Sequence, residues 1–442
     1  MPTAYFFLLL VGTIAFIIIS GAYWKWHPFF SLLTACLIFG IFTGMPLLAM
    51  VNAITTGFGS LVGSIGLVVV LGSILGVVLE ESGAVHRMGQ FLQQRSAVSP
   101  PLGISLLGML LGIPVFCDSG FIILVSLAKS IGVASAVPLP TMTLGLAGGL
   151  YTTHTLVPPT PGPMTAAANL GVGDALGLVI VLGIIVSIPA TLVAFLYARY
   201  IGKRLPTTAL SAAPAEAVDH RVPIIIALLL ILLPVILIAG DSILKLFEAD
   251  FRGMEVVHFA GHPLVALLIT VVIGLLVFRS QGKANAWVER GVRQAGPIIL
   301  LTGCGGALGA VLKASPLAAI IASWTQSQSL MGVGFLILGF AISSVFKSAQ
   351  GSSTSALTIV SSLLAPLAAS AGLTTGIELS LLVLAIGAGA MSVSHANDSY
   401  FWVVSQFSGF ELKAAYRGWT MITFLQGLAA LLSVIILYVI LV

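Results

Sequence analysis

Long apolar runs separated by short polar breaks fill the whole chain. Apolar windows predict helices near 3–22, 28–44, 61–80, 138–155 and 174–198. The second half repeats the programme at 222–240, 262–278, 296–313, 376–392 and 415–441. Two interrupted stretches, 100–133 and 330–369, read as re-entrant helical hairpins. Two further breaks make broken helices of 138–170 and 376–410. Non-helical backbone at membrane depth survives only when it is buried in protein or lines a wet cavity, so these breaks are where a site is expected. A polar stretch rich in Ala, Pro and Thr, 200–221, divides the chain near its middle.

The halves share motifs in one order. HPFFSLL at His27 recurs as HPLVALL at His262, and Gly72-xxx-Gly76-VVLEES recurs as Gly305-xxx-Gly309-AVLKAS. Val115-Phe116 recurs as Val345-Phe346, and Thr153-His154 as Ser394-His395. The offsets are 235, 233, 230 and 241, which argues for internal duplication. If each hairpin enters and leaves on one side, each half crosses the membrane five times. An odd number inverts the second copy relative to the first. The expected architecture is an all-α polytopic membrane protein made of two inverted repeats, 1–199 and 222–442, joined by a linker at 200–221. On that topology fourteen Lys and Arg fall on one side and three (Lys245, Arg252, Lys313) on the other, with Lys347 left inside. The positive-inside rule makes the linker cytoplasmic and both termini external.

Composition agrees. Charged residues are 7% of 442, against about 25% in soluble domains. Hydrophobic residues make up 58%. A soluble enzyme, a nucleic-acid binder and a disordered chain are excluded, because so few charges cannot cover a soluble fold of this length. Cys36, Cys117 and Cys304 lie in apolar stretches and suggest neither a disulfide framework nor a CxxC metal pair. The first apolar stretch lacks a basic n-region and reads as a retained helix.

Four breaks carry the polar chemistry. The first, Cys117-Asp118-Ser119-Gly120, puts a carboxylate inside an apolar hairpin, at a cost of about 2.5–3.5 kcal/mol unless it is paired or protonated. The second runs from Tyr151 through Thr153, His154, Thr155 and Thr160 to Pro163, and its four prolines cannot continue a helix. The third joins Lys347 to Gln350, Gly351, Ser352 and Ser353, a cation beside hydroxyls suited to an anion. The fourth holds Ser394, His395, Asn397 and Asp398. Plainer readings exist for each: a neutral Asp118 capping a half-helix, a structural His154, a snorkelling Lys347, and Asp398 as an N-cap. Taken together the breaks suit a small hydroxylated or amino-bearing carboxylate balanced by Lys347. Asp118, His154, His395 or Asp398 could accept a coupling proton. His154 and His395 have no third zinc ligand, and neither HExxH nor GxSxG is present, so no metal, cofactor or catalytic residue is expected. A channel would need a ring of like groups. Sodium coupling stays open, since Ser, Thr and Asn at hairpin tips can bind that ion.

At these breaks the chain resembles the GntP (gluconate permease) family of bacterial carboxylate symporters, within the ion transporter superfamily. VPPTPGP at 157–163 and SHANDSYFW at 394–402 are its most specific marks. More loosely, Asp118-Ser119-Gly120-Phe121 falls where gluconate carriers have Glu-Val-Gly-Phe. Lys347 with Gly351-Ser352 falls where they have Arg ahead of Gly-Ser-Ala-Thr. The resemblance implies proton-coupled uptake of gluconate or a related sugar acid, hydroxy acid or D-serine-like compound. It also implies a bacterial inner-membrane homodimer working as an elevator. Thr160 stands where the family pattern has His, Asp118 where it has Glu, and Lys347 where it has Arg. Lys lacks the bidentate fork of Arg, so a shorter acid such as glycerate is nearly as good an expectation as gluconate.

Overall fold

The computed structural model describes residues 3–85, 87–88, 99–206, 222–246, 253–315, 331–395 and 398–442. All regular structure among them is helical. Most of the expected 200–221 linker, and Asn397, lie outside these described residues.

The first helices, α1 (Thr3–Ala22) and α2 (Pro28–Phe42), match their apolar runs. The next, α3 (Leu47–Glu81), begins at residue 47 and not at 61. Asn52, Thr55, Thr56, Gly57 and Gly59 dilute its start and hide it from a hydropathy window. The helix persists there because it packs intimately on a partner. A Cβ on Gly57 would sit 2.5 Å from the carbonyl oxygen of Gly306, and a Cβ on Gly306 equally close to that of Gly57. Small residues let two membrane helices approach backbone to backbone. The helix bends by 44° between Gly63 and Gly66.

In the rest of the first half come α4 (Pro100–Leu111), α5 (Cys117–Ala134), α6 (Leu139–Leu156), α7 (Pro161–Asn169) and α8 (Leu176–Gly202). In the second half, α9 (Ile224–Leu246) precedes α10 (Met254–Gly261), a short helix not expected from the pattern. It turns by 73° into α11 (Pro263–Val277). The partner of α3 is α12 (Ala284–Ala314), which begins at 284 and not at 296. Its early turns are charged: Arg290 pairs with Glu81 and lies 3.5 Å from Glu80 at the end of α3, and Arg293 with Glu289. The remaining helices are α13 (Val333–Gln350), α14 (Ser353–Ala368), α15 (Gly376–Met391), α16 (Ser399–Ser408), α17 (Leu412–Ala415) and α18 (Met421–Leu441). A π-helical turn, Tyr416–Thr420, joins the last two.

Packing follows the same plan in each half. The pair α4 and α5 packs on α6, which is covered by α8; the pair α13 and α14 packs on α15, which is covered by α18. The two covering helices meet each other. The halves then cross over: α14 packs on α7, and α5 packs on α16. Helices α3 and α12 form a second group with α2 and α11 alongside, touching the first chiefly through α12 on α14 and α3 on α7. Among the described residues five helices are long and apolar enough to cross a membrane, or seven if each of two bent pairs is one span.

One recurrence does not keep its place. Val115-Phe116 lies in the link between α4 and α5, whereas Val345-Phe346 lies inside α13. Pro114 prevents α4 from continuing, while α13 runs on until Gly351 ends it with φ 79°.

Candidate functional site

The first-half break follows from its prolines. After Leu156 the chain passes through Val157–Thr160, with a cis Pro158–Pro159 peptide bond, and restarts as α7 at Pro161. The hydroxyls predicted to face a ligand mostly serve the backbone. Thr160 Oγ1 donates to the Val157 carbonyl at 2.6 Å. Thr155 Oγ1 donates to that of Tyr151 at 2.9 Å, and Thr153 Oγ1 to that of Met109 across in α4 at 2.7 Å. His154, in the last turn of α6, is buried with its ring 5.8 Å from Phe116. It lines a small pocket with Ser73, Pro114, Pro159 and Thr160 that has room for about one water.

The second-half breaks are built differently. Gly351 adopts a left-handed conformation that only Gly takes cheaply, ending α13. Ser352 then caps α14, accepting from the Ser355 amide at 3.2 Å. This turn leaves Lys347 on the last turn of α13. Asp398, the N-cap of α16, accepts from the Tyr400 amide at 3.0 Å through Oδ1. Its other oxygen, Oδ2, lies 2.6 Å from Lys347 Nζ. The two side chains are 1% and 5% exposed, so this ion pair is closed off from solvent.

The pair is fully partnered. Lys347 Nζ also donates to the Gly351 carbonyl at 2.7 Å and lies 5.7 Å from the centre of the Tyr151 ring. Asp398 Oδ2 also accepts from Ser394 Oγ, which in turn accepts from Trp419 Nε1 at 2.9 Å. The Ser394 amide donates to Thr423 Oγ1 at 3.0 Å, fixing the break against α18. Three buried aromatic rings close over one side: Tyr151 stacks on Tyr400 at 5.4 Å, and Trp419 meets both edge-on at 5.5 and 5.2 Å. Burying two charges costs several kcal/mol each, repaid only when, as here, the hydrogen bonds around them are satisfied.

The charged residues picked out by sequence converge. Asp118, in the first turn of α5 and half-buried, lies close enough to Asp398 and Lys347 for their charges to interact. His154 feels Lys347 from the other side. His395 Nε2 donates to the Ser348 carbonyl at 2.9 Å, tying the fourth break to the turn that carries Lys347. Gly120 is buried in α5, and Ser353 opens α14 half-buried. Ser119 and Gln350 belong to α5 and α13. Lys347 is not snorkelling to an interface, and Asp398 is an N-cap and an ion-pair partner at once. The aromatic trio was not anticipated. A Trp or Tyr in an apolar run looks like any packing residue, and the π turn that delivers Trp419 has no mark in the pattern. Another missed link is Asn169 at the end of α7, whose amide donates to the Thr358 carbonyl and to Ser361 Oγ at 3.1 and 2.8 Å.

Among the described residues an all-helical, strongly apolar fold whose interrupted segments enclose a sealed ion pair fits a multi-pass membrane protein. Comparisons make this more specific. The GntP family permease signature matches residues 5–440, and the chain belongs to that family. It is 32% identical to the D-serine transporter DsdX of Escherichia coli K12, over 97% of each chain. It is 31% identical to a gluconate permease of Zymomonas mobilis, over 96% of each. Among solved structures the fold is similar to the Alcanivorax borkumensis YdaH transporter. That match has a TM-score of 0.65 and 17% identity, and covers 89% of this chain and 88% of the other. These relatives are named permeases and transporters.

Proposed function

We propose that this protein is a secondary active transporter that takes up gluconate or a related small hydroxy or sugar acid together with a proton. The observation that carries the reading is the sealed Lys347–Asp398 pair where the breaks of both halves meet. Lys347 offers a cation for the ligand's carboxylate, and Ser352, Ser353 and the neighbouring hydroxyls offer partners for its hydroxyls. Asp118, His154, His395 and Asp398 are the titratable groups within or beside the site. Relatives named gluconate permease support a carboxylate as substrate.

The mirrored packing of hairpin, broken helix and covering helix supports two inverted repeats of five crossings each. It also supports elevator-type alternating access, with the first packing group moving against α3 and α12. Both termini lie outside a bacterial inner membrane, and the protein works as a homodimer.

One observation favours a second reading. Opposite charges 2.6 Å apart suit a zwitterion, whose carboxylate and ammonium could each find a partner. A D-serine-like amino acid, or sodium in place of the proton, follows from that arrangement.

Uptake of labelled gluconate, glycerate and D-serine into proteoliposomes separates these readings. The expected result is accumulation of a hydroxy acid under an inward proton gradient, lost when that gradient is collapsed, with counterflow preserved. Accumulation that follows a sodium gradient alone would overturn proton coupling. Flux without counterflow would mark a channel.

A further inference from the structure

If the proposed function holds, the ion pair stands where proton and substrate would be linked. Lys347 is closed off from solvent and tightly held in this conformation. Two of its three N–H donors go to Asp398 and Gly351, and the Tyr151 ring stands over the ammonium. An incoming carboxylate must therefore take a position that Asp398 now occupies. We infer that Lys347 exchanges between two carboxylates, that of Asp398 and that of the substrate, and that Asp398 is the group that takes up the coupling proton when it is displaced.

The exchange balances in charge. Before binding, Lys347 is neutralised by Asp398. After binding, Lys347 is neutralised by the substrate carboxylate, and a proton from the aqueous side neutralises Asp398. Without that proton Lys347 alone would face the carboxylates of both Asp398 and the substrate, with Asp118 nearby, and an unpaired buried charge is strongly disfavoured. Proton and substrate each favour the other's binding, and the coupling is reciprocal by thermodynamic necessity.

The surroundings suit Asp398 for this role. Ser394 Oγ now donates to Oδ2; a hydroxyl can reverse direction and accept from a protonated carboxyl. Trp419 Nε1 holds Ser394 in place, and the Tyr400 amide holds the other oxygen. Trp419 and Ser394 are thus positioning residues for Asp398. The other titratable groups facing it are Lys347 from α13, Asp118 and Cys117 from α5, Tyr151 from α6 and Tyr400 from α16. Of these Asp118 is the rival acceptor, but its side chain accepts a long contact from Cys117 Sγ, at 3.7 Å, while the ion pair with Lys347 belongs to Asp398.

Calorimetric binding of gluconate, glycerate and D-serine to the purified full chain, in buffers of different ionisation heat, tests this. The wild type should take up close to one proton per ligand, and its affinity should fall as pH rises, by up to about tenfold per pH unit. Asp398→Asn should bind with no proton uptake and a flat pH profile, while Asp118→Asn keeps the wild-type linkage. Trp419→Phe should shift the pH midpoint without removing the linked proton. If Asp398→Asn does not fold, Asp118→Asn decides, because a protonated-carboxyl stretch must still appear in its infrared difference spectrum when ligand is added. Wild-type binding without proton uptake, or linkage lost in Asp118→Asn but kept in Asp398→Asn, would overturn the inference and leave the transport reading standing. Failure of all three ligands to bind the wild type would overturn both.

Discussion

The two halves share a plan but not a chemistry. In the first, the break between α6 and α7 is made by prolines, and its Thr153, Thr155 and Thr160 hydroxyls are spent on backbone carbonyls. In the second, the breaks after α13 and α15 bring a lysine and an aspartate together, with serine, tryptophan and tyrosine around them. Two similarly packed halves thus supply two frames, of which the second carries the buried charges. The first contributes Tyr151, Asp118 and His154 from the opposite wall. The two breaks can differ in this way because a break needs only backbone satisfaction to persist, and either hydroxyls or an ion pair can provide it.

Substitutions can break or sharpen this comparison. The largest effect is expected for Lys347→Ala, which leaves Asp398 buried without its cation. It should abolish carboxylate binding and cost about 3–5 kcal/mol of stability, read as a lowered melting temperature in detergent. Next, Gly306→Ala drives a Cβ toward the Gly57 carbonyl and should cost about 1–3 kcal/mol in the same assay, without altering the charge of the site. Thr153→Val removes one hydrogen bond from the first-half frame and should cost about 1 kcal/mol. Its effect on ligand affinity should stay below about tenfold, or 1.4 kcal/mol. A loss of binding in Thr153→Val equal to that in Lys347→Ala would erase the contrast between the halves. The smallest effect is expected for Glu289→Gln. Its exposed ion pair with Arg293 should be worth under about 0.5 kcal/mol, and uptake should match the wild type.

Much of this was legible in sequence, for reasons that can be named. Helices whose apolar runs are unbroken, such as α1, α8 and α18, follow from hydropathy because the membrane demands continuous apolar length. The breaks follow from proline and glycine. Helix starts rich in small and polar residues do not: α3 and α12 extend beyond their apolar cores because glycine contact and the Arg290 ion pairs hold them, and both depend on a partner over 200 residues away. Lys347 and Asp398 could each be marked as costly charges, but their pairing spans 51 residues and arises only from folding. Trp419 had no signal at all. Its role comes from the π turn, which leaves no mark in an apolar pattern, and from a hydrogen bond to Ser394 that only folding creates.

The most direct test of the central claim is titration calorimetry of gluconate and glycerate against the wild type and a folded Lys347→Ala variant. Saturable binding to the wild type and none to the variant is the expected result. Equal affinity in both would show that the buried pair is not where the carboxylate binds.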